Sequence, residues 1–177
     1  MKPSKRITGI AGSLRTHSYS KAILKAIAAQ LLKHRFEELD IGAIPHYNQD
    51  LDTDDAPESV RQAKEQIKAS DLIILVVPEF NHGIPGVLKN TLDWLSRPVF
   101  ESCFAQKPVF FVTLSEGPLG GVRAQYQMRE TLAAMLCILP PVREIAISNV
   151  ADKVADGVFS DAKILGRIQK TLEKDFL

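Results

Sequence analysis

The stretch GSLRTHSYS at residues 12–20 sets three hydroxyls, Ser13, Ser18 and Ser20, and one guanidinium, Arg15, where an apolar segment gives way to a helical period. A helix N-terminus offers amides without intrahelical acceptors and the positive end of the helix dipole. Arginine adds a charge-assisted contact that can be bidentate, so these residue types in this order suit a phosphate group. A serine N-cap beside a solvated arginine would produce the same string. Other phosphate chemistries are excluded by spelling: the chain has no GxxxxGK[ST], hence no P-loop, and no GxGxxG after its first apolar segment, hence no dinucleotide turn.

Two further segments carry candidate chemistry. PEFNHGIPG, residues 78–86, has two prolines and two glycines that fix a backbone able to present N–H and C=O groups to a flat heterocycle, although any strand end can be punctuated this way. SEGPLGG, residues 115–121, lets the backbone approach a ligand closely, or is a flexible connection. Cys103 and Cys137 belong to no CxxC or Cys/His cluster, which removes zinc modules, iron–sulfur sites and thioredoxin-like redox chemistry. His17 and His82 fall inside two of these loops but have no paired carboxylate in sequence, and with His34 and His46 they read as surface residues. No catalytic side chain and no metal are expected.

Strands and helices must position these loops. DLIILVV (71–77) and PVFFVTL (108–114) are continuous apolar runs, the pattern of strands covered on both faces of a parallel sheet. Weaker strands are expected over 5–11, 36–40 and 142–147. Helical stripes place Ile23, Ile27 and Leu31 together, then Val60, Ala63 and Ile67, then Leu88, Leu92 and Leu95. Further helices cover 122–136 and a terminal segment with Ile164, Ile168, Leu172 and Phe176. Five alternations of strand and helix with right-handed crossovers give an α/β three-layer open sheet, with ligands beyond the carboxyl ends of the strands at the point where strand order reverses. All three loops follow such strand ends. Residues 42–56, rich in Asp, Asn and Pro, read as a rim loop.

Composition agrees with this architecture. With 177 residues, 45% hydrophobic and 24% charged, the chain reads as one domain over 1–177, large enough to bury a core without disulfides or structural metal. Lys and Arg number 22 against 21 Asp and Glu, a net charge of +1 with no basic block, which argues against nucleic acid as a partner. No apolar run approaches the roughly 18 residues that span a bilayer, and glycines and polar residues interrupt 7–14, so no membrane association and a cytoplasmic location are expected.

Taken together, the motifs resemble the NAD(P)H-dependent FMN reductases of the flavodoxin-like fold, a family that includes bacterial quinone, azo and chromate reductases. The family's phosphate loop reads GSLRxxSxN, matched by Gly12, Ser13, Leu14, Arg15 and Ser18, with Ser20 in place of Asn. Its ring signature, PEYNxSxPGxLKNAIDWxSRP, is matched by PEFNHGIPGVLKNTLDWLSRP over 78–98, with Phe80 for Tyr and Gly83 for Ser. SEGPLGGVRAQ and IPHYNQDL are also family-like, so the resemblance runs from about residue 6 to 147.

The resemblance implies a five-stranded parallel sheet of order 2-1-3-4-5 and FMN as cofactor. The phosphate would be held by Ser13, Arg15, Ser18 and Ser20. The ring would be bordered by Pro78, Glu79, Phe80 and Asn81, largely through backbone, with Ser115, Gly120 and Gly121 closing the other side. Bound flavin would take a hydride from NADPH or NADH and pass two electrons to a quinone or a similar acceptor such as an azo compound, chromate or free flavin. A flavodoxin-type electron carrier is usually strongly acidic, unlike this chain. A receiver domain would need acidic residues where Ala11-Gly12-Ser13 stands, and a hydrolase elbow would need GxSxG, which is absent. A non-catalytic flavin-binding protein stays open. Ile84, Val87, Leu88, Leu92, Trp94 and Leu95 occupy nearly all sides of one helix, more apolar surface than a single sheet face can cover, which predicts a homodimer or homotetramer through that helix.

Overall fold

The computed structural model describes residues 3–177. Its sheet is built from β1 (Arg6–Ala11), β2 (Arg35–Glu38), β3 (Leu72–Pro78), β4 (Val109–Leu114) and β5 (Ala146–Ile147), all parallel and in the order β2-β1-β3-β4-β5. The expected 2-1-3-4-5 topology is therefore present. Alternate residues of β3 serve opposite faces: Leu72, Ile74 and Val76 join one core cluster, and Ile73, Leu75 and Val77 the other. That division explains why the strand is apolar throughout.

On one face lie α1 (Tyr19–Ala29), buried through Ile23, Leu24 and Ile27, and the C-terminal α5 (Ala162–Asp175), buried through Ile168 and Leu172. On the other lie α2 (Glu58–Lys68), α3 (Gly86–Leu95) and α4 (Val122–Ala134). Pro57 stands at the N-cap of α2 rather than inside its first turn.

Three expectations change. The fifth strand is confined to Ala146–Ile147, with Ile138 making an isolated bridge to Pro108. Between those points Pro140 and Pro141 have no amide to donate, and the chain leaves the sheet edge until Ile145 accepts from the amide of Thr113. A short antiparallel hairpin, β6 (Val154–Ala155) with β7 (Val158–Phe159), is present where the sequence pattern predicts no strand. Its turn uses Asp156 and Gly157, both at positive φ.

The third change concerns α3, whose apolar surface is covered by its own chain. Leu88, Leu92, Trp94 and Leu95 are buried, and Ile84 is only 8% exposed. The 42–56 segment accounts for much of this. Trp94 Nε1 and Asn90 Nδ2 both donate to the Pro45 carbonyl, Tyr47 stacks edge-on against Trp94 at 4.9 Å, and Asp52 joins Arg97 at 3.0 Å. The segment is a strap over α3, and excess apolar surface on that helix no longer argues for assembly.

Candidate functional site

The first loop leaves β1 through Gly12, whose amide donates to the Val76 carbonyl at 2.9 Å. A Cβ there would lie 2.9 Å from Pro78 Cδ, so a glycine is what lets this loop cross beside β3. Beyond it the amide of Arg15 donates to Ser13 Oγ at 3.3 Å, and Ser18 caps α1 by accepting from the Lys21 amide at 3.4 Å. Ser18 and Ser20 are both buried, with their hydroxyls 2.7 Å apart. The Arg15 guanidinium sits 5.5 Å from the centre of the Tyr19 ring and donates to the His17 carbonyl at 3.4 Å. Among the described residues it has no carboxylate partner. A cation with no counter-ion among the described residues, set before a helix N-terminus amid hydroxyls, has the chemistry to seat an anion.

At the other end of the same cleft, Phe80 and Gly83 exchange two backbone hydrogen bonds of 2.9 Å, closing a two-residue hairpin with Asn81 (φ 46°) and His82 (φ 64°) at its tip. Phe80 is 55% exposed. The Glu79 amide donates to the Leu114 carbonyl, which ties the hairpin to β4. Ser115 follows β4, and its hydroxyl is turned back to the Gly117 carbonyl at 3.1 Å.

The cleft has a volume of about 260 Å³, and its lining brings together Ser13, Arg15, Ser18 and Ser20 at one end with Pro78, Glu79, Phe80 and Ser115 at the other. Asn81, Gly120 and Gly121 are not in the lining. Asn81 is at the hairpin tip. The two glycines allow close approach within the chain: a Cβ on Gly120 would lie 2.7 Å from the Ala146 carbonyl carbon, and one on Gly121 would lie 3.0 Å from Leu114 O. Both have positive φ, and Gly121 is the N-cap of α4. Sequence reasoning missed Tyr19, Leu114, Glu116 and Val150, which also line the cleft. Tyr19 and Glu116 adjoin residues already singled out. Val150 is held at the cleft by the hydrogen bond its amide donates to the Ser115 carbonyl, a pairing between residues far apart in the chain that leaves no local signal.

The thiols stand apart from this cleft. Burial pushes Cys103 and Cys137 each up to about 12, so neither presents a thiolate at neutral pH. Cys103 Sγ instead donates to the Leu95 carbonyl.

Comparison with known proteins gives the family. The sequence matches the family described as NADPH-dependent FMN reductase over residues 5–152. An NAD(P)H-dependent FMN reductase of Pseudomonas aeruginosa is 39% identical over 171 residues, covering 95% of this chain and 91% of its own. A 2-hydroxy-1,4-benzoquinone reductase of a Burkholderia species is 37% identical over 150 residues, covering 84% and 81%. Among solved structures, FerB, a flavoenzyme NAD(P)H:(acceptor) oxidoreductase of Paracoccus denitrificans, superimposes with a TM-score of 0.84 at 32% identity, covering 96% of this chain and 93% of that one. An unpaired guanidinium at a helix N-terminus, joined by one cleft to an exposed aromatic ring and a fixed backbone edge, fits a cofactor with a phosphate at one end and a flat ring at the other. With FMN as its cofactor and NAD(P)H as its electron donor, this chain belongs to the NADPH-dependent FMN reductase family.

Proposed function

We propose that the chain, acting as one flavodoxin-like domain, seats FMN in the 12–20/78–80/115 cleft and uses NAD(P)H to reduce a quinone. The observation that carries the placement is Arg15, a cation with no carboxylate partner among the described residues, poised where the capped N-terminus of α1 opens into the cleft. In this reading Arg15 and the serine hydroxyls hold the phosphate, while Pro78, Glu79, Phe80 and Ser115 border the ring. Asn81, Gly120 and Gly121 support that border by shaping the loops. Bound FMN supplies two-electron chemistry, so the protein's part is to bind it, orient it and leave one ring face open to donor and acceptor in turn.

A quinone is the acceptor class favoured by relatives named quinone reductase and 2-hydroxy-1,4-benzoquinone reductase. Azo compounds, chromate and free flavin are further acceptors within the same reading. The test is to purify the chain, record the visible spectrum and FMN content, then follow NADH and NADPH oxidation with a benzoquinone. FMN bound one per chain with quinone-dependent turnover is expected. FMN bound without turnover would favour a non-catalytic flavin-binding or electron-transfer protein.

Self-association as a homodimer or homotetramer belongs to the same proposal, and what supports it now is a different surface. Val99 and Phe100, 52% and 78% exposed, border a groove between α3 and α4 that Leu92, Ala134 and Met135 also line. Sedimentation velocity at micromolar concentration, with and without FMN, is expected to show a species of at least twice the chain mass. No nucleic acid or membrane enters this reading, and among the described residues no helix is long and apolar enough to cross a membrane. A cytoplasmic site of action, where NAD(P)H is supplied, completes it.

A further inference from the structure

Glu79 lines the cleft, yet its carboxylate is already engaged elsewhere. Oε2 accepts from the backbone amides of Arg123 at 2.9 Å and Ala124 at 3.0 Å, and Oε1 lies 3.8 Å from the Arg123 guanidinium. Helix α4 begins with Gly121 in a left-handed conformation and has no side-chain cap of its own, so Glu79 supplies from 44 residues away the acceptor that a local Ser or Asp would normally provide. One turn further along α4, Gln127 Oε1 accepts from the Ile84 amide at 2.8 Å. Glu79 and Gln127 thereby tie the two ends of the Phe80–Gly83 hairpin to one helix.

Gly83 adds a second observation. A Cβ at that position would lie 2.7 Å from Gln127 Oε1, whereas the φ of Gly83 is not left-handed and would accept a side chain. Gln127 occupies the space that a serine side chain at position 83 would need.

We propose that Glu79 and Gln127 are positioning residues which clamp the Phe80–Gly83 hairpin onto α4, fixing the wall of the cleft, and that a side chain at 83 loosens this clamp by pushing Gln127 Oε1 off the Ile84 amide. This rests on the reading of the cleft as the FMN seat. It makes the Glu79 side chain a tie between the loop after β3 and the helix after β4, while the residue still lines the cleft. Two amide donors and the Arg123 guanidinium turn the carboxylate toward α4.

The test measures the FMN dissociation constant by fluorescence titration, the visible circular dichroism of bound flavin, and the apo-protein melting temperature. Glu79→Ala and Gln127→Ala are each expected to weaken FMN about tenfold or more, the scale of one lost hydrogen bond to a fixed group. Both should alter the flavin dichroism. Gln127→Glu keeps an acceptor oxygen at the same position and is expected to restore parent binding and dichroism, which loss of general stability would not predict. Gly83→Ser should be harmful alone and less so combined with Gln127→Ala. Parent binding and dichroism in the two alanine variants, or independent multiplication of the Gly83→Ser and Gln127→Ala effects, would overturn the proposal. If Glu79→Ala does not fold, the Gln127 and Gly83 arms decide. Arg15→Glu is run alongside: should it keep FMN, the reading of the cleft itself fails, whereas FMN loss there with unaffected Gln127 and Gly83 variants defeats only the clamp.

Discussion

The two ends of the cleft are built by opposite means. At the Arg15 end, recognition groups come from nine consecutive residues, 12–20, and the decisive one is a side chain with no carboxylate partner among the described residues. At the Phe80 end the side chains are largely bound to backbone of neighbouring segments: Glu79 to the first amides of α4, Gln127 to the Ile84 amide, Ser115 to the Gly117 carbonyl. What remains for a ligand is backbone and the Phe80 ring. A charged group is recognised by unpaired charge held ready. A flat heterocycle is recognised by a rigid edge, which has to be made rigid by contacts it does not itself supply.

The largest expected effect falls at the Arg15 end. Two charge-assisted hydrogen bonds to a phosphate, each about 1.5–3 kcal/mol, would be lost in Arg15→Glu, and a like charge installed. FMN affinity should fall by at least about a hundredfold, since about 1.4 kcal/mol is a factor of ten. The melting temperature of the apo-protein should hardly move, because Arg15 is exposed and its side chain engages the Tyr19 ring and the His17 carbonyl. Unchanged binding in a fluorescence titration would remove the asymmetry between the two ends.

The complementary break is at Gly120, where folding rather than the ligand should suffer. In Gly120→Ala a side chain would enter at φ +64° with its Cβ 2.7 Å from the Ala146 carbonyl carbon and 2.9 Å from the Ile147 amide. The left-handed conformation and the overpacking together cost about 2–3 kcal/mol. A urea titration should show that loss in the apo-protein. If instead stability holds and only FMN affinity falls, Gly120 acts on the ligand, and the 115–121 loop is shaped for the flavin rather than for packing against β4 and β5.

The same contrast decides what the sequence could reveal. The open parallel sheet, both cores and the Arg15 loop follow from local patterns, namely continuous apolar runs over 71–77 and 108–114, helical stripes and a cap serine after a glycine turn, whereas the order 2-1-3-4-5 is implied by the family resemblance. The strap over α3 was not legible, because Trp94 and Asn90 reach Pro45 from 49 and 45 residues away. Without it the α3 surface reads as an interface. Glycines are ambiguous for a related reason. Gly120 and Gly121 look open to a ligand in one dimension and meet β4 and β5 in three. Val150 enters the cleft with no motif around it.

A smaller effect separates both ends from the core beneath them. Burial raises Cys103 and Cys137 from 9.0 to about 12, so the unfolded chain loses its thiol protons first. Their contribution is fully present below pH 9 and is lost as pH rises toward 12. After discounting for partial exposure this is on the order of 2 kcal/mol across that window. The Cys103→Ser, Cys137→Ser variant should be less stable at pH 8 but show a flatter alkaline decline in its urea midpoint. If it folds and binds FMN, it should keep NAD(P)H-dependent turnover with parallel double-reciprocal lines. Loss of turnover with FMN bound would point to a thiol mechanism instead.

The smallest effect is expected at the tip of the hairpin and tests whether the Phe80 end depends on its clamp or on its turn. His82 has φ 64°, a conformation costing a residue with a Cβ about 1 kcal/mol that glycine does not incur, and Asn-Gly is the favoured pair for a two-residue turn of this hand. His82→Gly should therefore raise stability by about 0.5–1 kcal/mol while leaving the Phe80–Gly83 bonds in place. The imidazole is exposed and lies outside the cleft lining, so turnover with a quinone and its pH profile should match the parent. A stabilised variant with slower turnover and an altered profile near neutral pH would assign His82 a proton-handling role. A destabilised one would show that the side chain at the tip, and not only the grip of Glu79 and Gln127 at its base, holds the hairpin in shape.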